Sequence, residues 1–68
     1  MLSVRRDALT EKRKACSLTQ HRLSLLSGLS GNAIHRMEQQ NHKVSLLRAK
    51  AVADAMNCTV EELFYTSK

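Results

Sequence analysis

The residues best suited to chemistry lie between Gln20 and Gln39. Helical spacing turns Ile34 and Met37 to one side and sets Asn32, His35, Arg36 and Gln39 on the other. That outward row offers amide, imidazole and guanidinium groups, which read a partner's hydrogen-bonding edge. Catalysis is a poor fit. The chain has no Gly-rich phosphate loop, no nucleophile elbow and no close carboxylate pair in a cleft. Charge narrows the choice of partner: 11 Lys and Arg against 6 Asp and Glu give +5. Residues 1–50 hold ten basic and three acidic side chains, and residues 51–68 hold one and three. Such asymmetry points one face at a polyanion, with nucleic acid the first candidate, although charge alone serves solubility equally well.

The remaining reactive side chains lead elsewhere. His21, His35, His42, Cys16 and Cys58 lack the spacing of a zinc module, so no metal or other cofactor is expected. The two cysteines stand 42 positions apart at apolar helix ends and read as buried, inert core thiols of a reducing compartment. Glu61 and Glu62 open a helix, where acidic residues favour the helix dipole. The glycosylation triplet Asn57-Cys58-Thr59 coincides with a helix stop and cap, and no secretion signal precedes it, so it is read as accidental.

A chain of 68 residues is read as one small domain, 1–68, without room for two cores. No apolar run approaches the roughly 18 residues of a membrane span. No proline, two glycines, one Phe and one Tyr leave little material for strands and turns, so helices are the expectation. The first is placed from Val4 to Cys16, capped by Ser3, with Val4, Ala8, Leu9, Ala15 and Cys16 on its buried face. Thr19 caps a second helix carrying Leu23 and Leu26, Leu18 can staple against Leu23, and Gly28 ends it. One residue later Ser30 opens the third, a helix-turn-helix spacing over about 19–39. Residues 40–44 read as a loop. Ser45 then caps a fourth helix with Ala49, Val52, Ala53 and Met56 inward, and Asn57 stops it in the left-handed conformation. Thr59 and Glu62 form a capping box opening a last helix with Val60, Leu63 and Phe64. The predicted fold is a compact all-α domain of five helices.

Leu18-Thr19-Gln20, Gly28-Leu29-Ser30, Ile34 to Glu38 and Val60 to Phe64 stand in an order and spacing that resembles the phage-repressor and Cro-type, or Xre, helix-turn-helix proteins across roughly Leu9 to Phe64. The resemblance implies the lambda-repressor-like fold and sequence-specific binding of double-stranded DNA by a homodimer on a pseudo-palindromic operator, in a transcriptional regulator, most simply a repressor. It implies base contacts from Gln20, Asn32, His35 and Arg36, and backbone contacts from Ser30, Gly31, Gln39, Asn41 and Lys43. By the same analogy Arg13 and Glu38 pair to orient the third helix, and Asn57, Cys58, Phe64 and Tyr65 lie in the dimer interface. Ser24 occupies a position where the family prefers alanine for close helix crossing. The analogy further implies a cytoplasmic protein of bacterial, phage or mobile-element origin. No membrane partner is expected, nor a small-molecule effector, since no residues are left over for an inducer-binding or self-cleaving domain.

Several positions depart from the family pattern. Gly31 stands where a long polar side chain is usual, so one base contact is lost or made by backbone. Lys14 replaces an apolar residue, Gln40 replaces a glycine, and Leu25 and Leu47 replace polar ones. Gly31 and Leu25 motivate the alternative of a protein-interaction module that keeps the scaffold but binds a toxin or polymerase subunit.

Overall fold

The computed structural model describes residues 1–40 and 43–66. Its elements run β1 (Leu2–Val4), α1 (Arg6–Ala15), α2 (Gln20–Leu26), α3 (Ala33–Gln39), β2 (Lys43–Val44), α4 (Leu46–Ala55), α5 (Val60–Leu63) and β3 (Phe64–Thr66). The five helices are those the apolar periodicity predicts. A small antiparallel sheet of order β2-β1-β3 is added to them.

The sheet corrects four expectations. Phe64, expected in the last helix, belongs to β3, because α5 ends at Leu63 and the chain turns extended there. Ser3 does not cap α1, because its backbone lies between Lys43 and Tyr65 in the ladder. Val4 pairs with Phe64, and the first helix begins only after Arg5, whose N–H donates to the Leu63 carbonyl at 2.7 Å. Lys43 and Val44 belong to a strand rather than a loop. Directly paired residues share a sheet face and successive residues alternate. Val4 and Phe64 therefore turn into the core together, while Lys43 and Tyr65 flank Ser3 on the outer side.

Three helices stop by the same device. Ser17, Gly28 and Asn57 take φ of 58°, 71° and 55°. After each, the next residue's N–H returns to a carbonyl of the last turn: Leu18 to Arg13 at 3.1 Å, Leu29 to Ser24 at 2.9 Å, Cys58 to Ala53 at 3.0 Å. These are Schellman ends, in which the residue past the left-handed position packs back on the helix. Leu18, Leu29 and Cys58 all pack against the core. Thr19 and Ser45 cap the starts of α2 and α4 by accepting from the Arg22 and Arg48 N–H groups. Glu62 Oε2 closes the α5 box by accepting from the Thr59 N–H at 2.7 Å.

The core comprises Val4, Leu9, Leu23, Ile34, Met37, Val44, Ala49, Val52, Ala53, Met56, Leu63 and Phe64. The inward sets expected of the third and fourth helices are all among them. The first helix differs: Arg13 is buried with Leu9, whereas Ala15, its last residue, and Cys16, the cap after it, are exposed. Cys16 is therefore no core thiol, and Cys58 is only half-buried. Leu26 also stays half exposed, at 52%. Ser30 does not cap α3. Its carbonyl accepts from Ala33 N in a turn, and Asn32 holds the cap position without a side-chain bond.

Phe64 is 1% exposed and Tyr65 44%. Phe64→Ala should cost about 3–5 kcal/mol, as large-to-small changes in packed cores do. Tyr65→Ala should stay within about 1 kcal/mol, as surface changes do. Urea unfolding followed by circular dichroism measures both; equal losses would contradict the strand placement.

Candidate functional site

Arg13 projects from α1 one turn after Leu9 and meets Glu38 of α3. Its Nε donates to Glu38 Oε2 at 2.7 Å and its Nη2 to Oε1 at 3.2 Å, a two-pronged pair. The third prong, Nη1, donates to the Leu18 carbonyl at 2.8 Å. Only 11% of the Arg13 side chain and 3% of the Glu38 side chain remain exposed. Burial pushes the Glu38 carboxyl up, but hydrogen bonds from Arg13 and Gln20, the Arg13 charge and a Thr10 hydrogen bond together hold it below its ordinary value.

Gln20, the first residue of α2, extends this group. Its Nε2 donates to Glu38 Oε1 at 2.9 Å, an orientation required because a carboxylate only accepts. That turns the amide oxygen to His35, whose Nδ1 lies 3.1 Å away. An amide oxygen also only accepts, so Nδ1 carries the proton. In the neutral ring Nε2 is then an acceptor. One connected set of polar side chains thus runs from α1 through α3 and α2 to the outward face of α3.

A second polar tie sets the crossing of α2 on α3. Ser24 is fully buried; its hydroxyl donates to the Gln20 carbonyl at 2.9 Å and accepts from Ile34 N–H at 3.1 Å. The site needs a small residue, and this chain also uses its oxygen. The serine at a position favouring alanine was the visible signal of that second role. Nothing in the sequence marked Gln20 as the link between Glu38 and His35, since it lies 18 and 15 positions from them along the chain.

Asn32, His35, Arg36 and Gln39 are all exposed, as are Ser30 and Lys43; Gly31 is half-buried beside His21, and Asn41 lies outside the described residues. Gln40 follows α3 in extended conformation (φ −120°, ψ 149°), so the chain leaves the helix without a left-handed residue. Among the described residues the ion pairs are Arg13–Glu38 and Lys50–Asp54. The exposed cations Arg22, Arg36, Lys43 and Arg48 therefore stand without a carboxylate partner there, and Arg36 and Arg48 line one groove together with Ala33 and Met37 of α3.

The C-terminal residues form a separate region. Phe64 faces its own core and offers no surface to a partner, which removes it from the expected interface. Asn57 and Tyr65 are exposed, and the Arg5 guanidinium lies 5.0 Å from the Tyr65 ring centre. Cys58 donates from Sγ to the Ala53 carbonyl at 3.7 Å, and its burial, with nearby Glu62, pushes the thiol pKa up. Among the described residues, no helix is long and apolar enough to cross a membrane.

Comparison with family models matches residues 9–63 to the one described as helix-turn-helix. No curated protein matches the chain significantly.

Two outcomes follow from the buried ties. A folded-state pKa below the unfolded one means the unfolded chain binds more protons at acid pH, so Glu38's contribution is present above the ordinary carboxylate range and lost as pH falls through its folded pKa. Glu38→Gln should lose about 3 kcal/mol at neutral pH, the scale of breaking a buried pair, and its stability should fall less steeply below about pH 4. Ser24→Ala should cost about 1–2 kcal/mol by stranding the Ile34 N–H. Denaturant titrations at a series of pH values test both; an acid limb as steep in Glu38→Gln as in the parent would remove Glu38 as its cause.

Proposed function

Since the chain belongs to the helix-turn-helix family of Xre and lambda-repressor-like DNA-binding regulators, we propose that it binds an operator sequence-specifically as a homodimer and represses transcription there. The observation that carries this reading is the exposed polar face of α3, held in one orientation by the Arg13, Glu38, Gln20 and His35 chain. A face of amide, imidazole and guanidinium groups fits the donor and acceptor pattern of the major groove.

In this reading α3 lies in the groove. Arg36 donates to guanine O6 and N7, and Asn32 pairs with adenine N6 and N7. His35, with its proton fixed on Nδ1, accepts at Nε2 from an exocyclic amino group. Gln20 keeps one amide hydrogen for a phosphate or a base edge. Ser30, Gly31, Gln39, Asn41 and Lys43 hold the backbone, contacts that set register without reading sequence. Dimerisation uses the C-terminal region around Asn57, Cys58 and Tyr65, and a two-fold axis there sets the recognition helices about one DNA turn, roughly 34 Å, apart.

A second reading rests on exposed leucines. Leu25 is 53% and Leu47 82% exposed, which suits a protein partner such as a toxin or polymerase subunit.

The deciding experiment selects bound duplexes from a random library and measures the affinity of the enriched sequences at two salt concentrations. A two-fold-symmetric site bound well above random DNA at both salts is the expected result. Arg36→Ala should then cost about 1–3 kcal/mol and relax preference at one base pair. Lys43→Ala should weaken all duplexes alike and reduce the salt slope by about one. Weak binding that vanishes with salt and enriches no sequence would overturn the proposal and favour the protein-partner reading.

A further inference from the structure

We propose that His21 is a specificity-determining residue that reads a purine edge in the major groove, and that Gly31 is a glycine in order to seat it. The inference rests on the DNA-binding reading above and deepens it. It begins from a glycine whose backbone does not need to be one. Gly28 has φ of 71°, but Gly31 lies outside the left-handed region, so any residue could adopt its conformation.

Space supplies the missing reason. A Cβ at position 31 would stand 2.9 Å from Cε1 and 3.0 Å from Nδ1 of His21, closer than a Cβ carbon ordinarily stands to any neighbouring atom. The His21 ring thus occupies the place where a side chain of residue 31 would begin. Gly31 immediately precedes Asn32, at the start of the outward face of α3, so the imidazole is delivered to that face from α2.

The ring is also free to act. His21 is exposed, and no hydrogen bond to its ring is formed among the described residues. Only Cε1 and Nδ1 lie within 4 Å of the position-31 Cβ, so Nε2 points away from the Gly31 backbone. A protonated Nε2 donates to purine N7 or guanine O6, the acceptors that the major groove presents. Its neighbour Gln20 is tied to Glu38 and His35, which fixes the start of α2 against α3 and holds the ring near its seat.

The test compares base preference by duplex selection for the parent, His21→Ala, Gly31→Ala and the double variant, with a melting curve for each. His21→Ala should lose about tenfold discrimination at one or two base pairs of the half-site and leave the others unchanged. Gly31→Ala should disturb the same base pairs by displacing the ring, and should do nothing further once His21 is alanine, the non-additivity expected of two residues in contact. The exposed ring can swing aside, so Gly31→Ala should still melt cooperatively near the parent. An unchanged preference in His21→Ala, or an equal loss on all sequences, would overturn the assignment, the latter marking a phosphate contact. A parent that enriches no site would instead defeat the DNA-binding reading itself, so the two failures are distinguishable.

Discussion

The orientation of α3 depends on one buried ion pair. An apolar core holds helices together without direction, because burial rewards area and not angle. Ile34 and Met37 anchor α3 to the core, yet a helix of seven residues has little stability of its own and could roll on so small a contact. Arg13 and Glu38 remove that freedom, since the planar guanidinium accepts a carboxylate in few geometries. Desolvating both charges is costly, and the cost is offset only when the remaining hydrogen-bonding capacity is used. Here the Leu18 carbonyl takes the spare Arg13 prong and Gln20 donates to the carboxylate.

The same economy runs through the backbone. Three short helices end in Schellman turns, and each turn sends an apolar side chain, Leu18, Leu29 or Cys58, back onto the core. The ends are thereby satisfied in hydrogen bonding and used for packing at once. The sheet does for the chain's two ends what the turns do for the helices. Strand β1 lies between β2 and β3, so residues near both termini and the segment entering α4 are fixed by a single ladder.

Polar ties then divide the α3 surface into two kinds of side chain. Glu38, turned inward, spends its capacity on the protein. Arg36 and Asn32, turned outward, make no side-chain hydrogen bond among the described residues. His35 stands between, with one ring nitrogen held by Gln20 and the other left over. Recognition by a rigid surface of this kind needs both classes, because a contact a fraction of an ångström out of place loses most of its directionality.

Much of this was legible in the residues. Helical periodicity placed Ile34, Met37, Ala49, Val52 and Ala53 inside and Asn32, His35, Arg36 and Gln39 outside, since that pattern depends only on neighbours within a few positions. The caps at Thr19, Ser45 and Thr59 and the left-handed stops at Gly28 and Asn57 are local for the same reason. Strands of two or three residues carry no periodicity, and β1 finds its partners some 40 and 60 positions away, so the sheet and the burial of Phe64 within it were decided only by the tertiary fold. The stop at Ser17 was hidden because serine rarely takes that conformation. Gln20's link between Glu38 and His35, the hydroxyl of Ser24 on the Ile34 amide and the His21 ring over Gly31 each join α2 to α3. Sequence by itself determined that five helices form and which faces of the third and fourth are apolar; packing determined which polar atoms meet, because a hydrogen bond requires a distance and an angle that chain spacing does not specify.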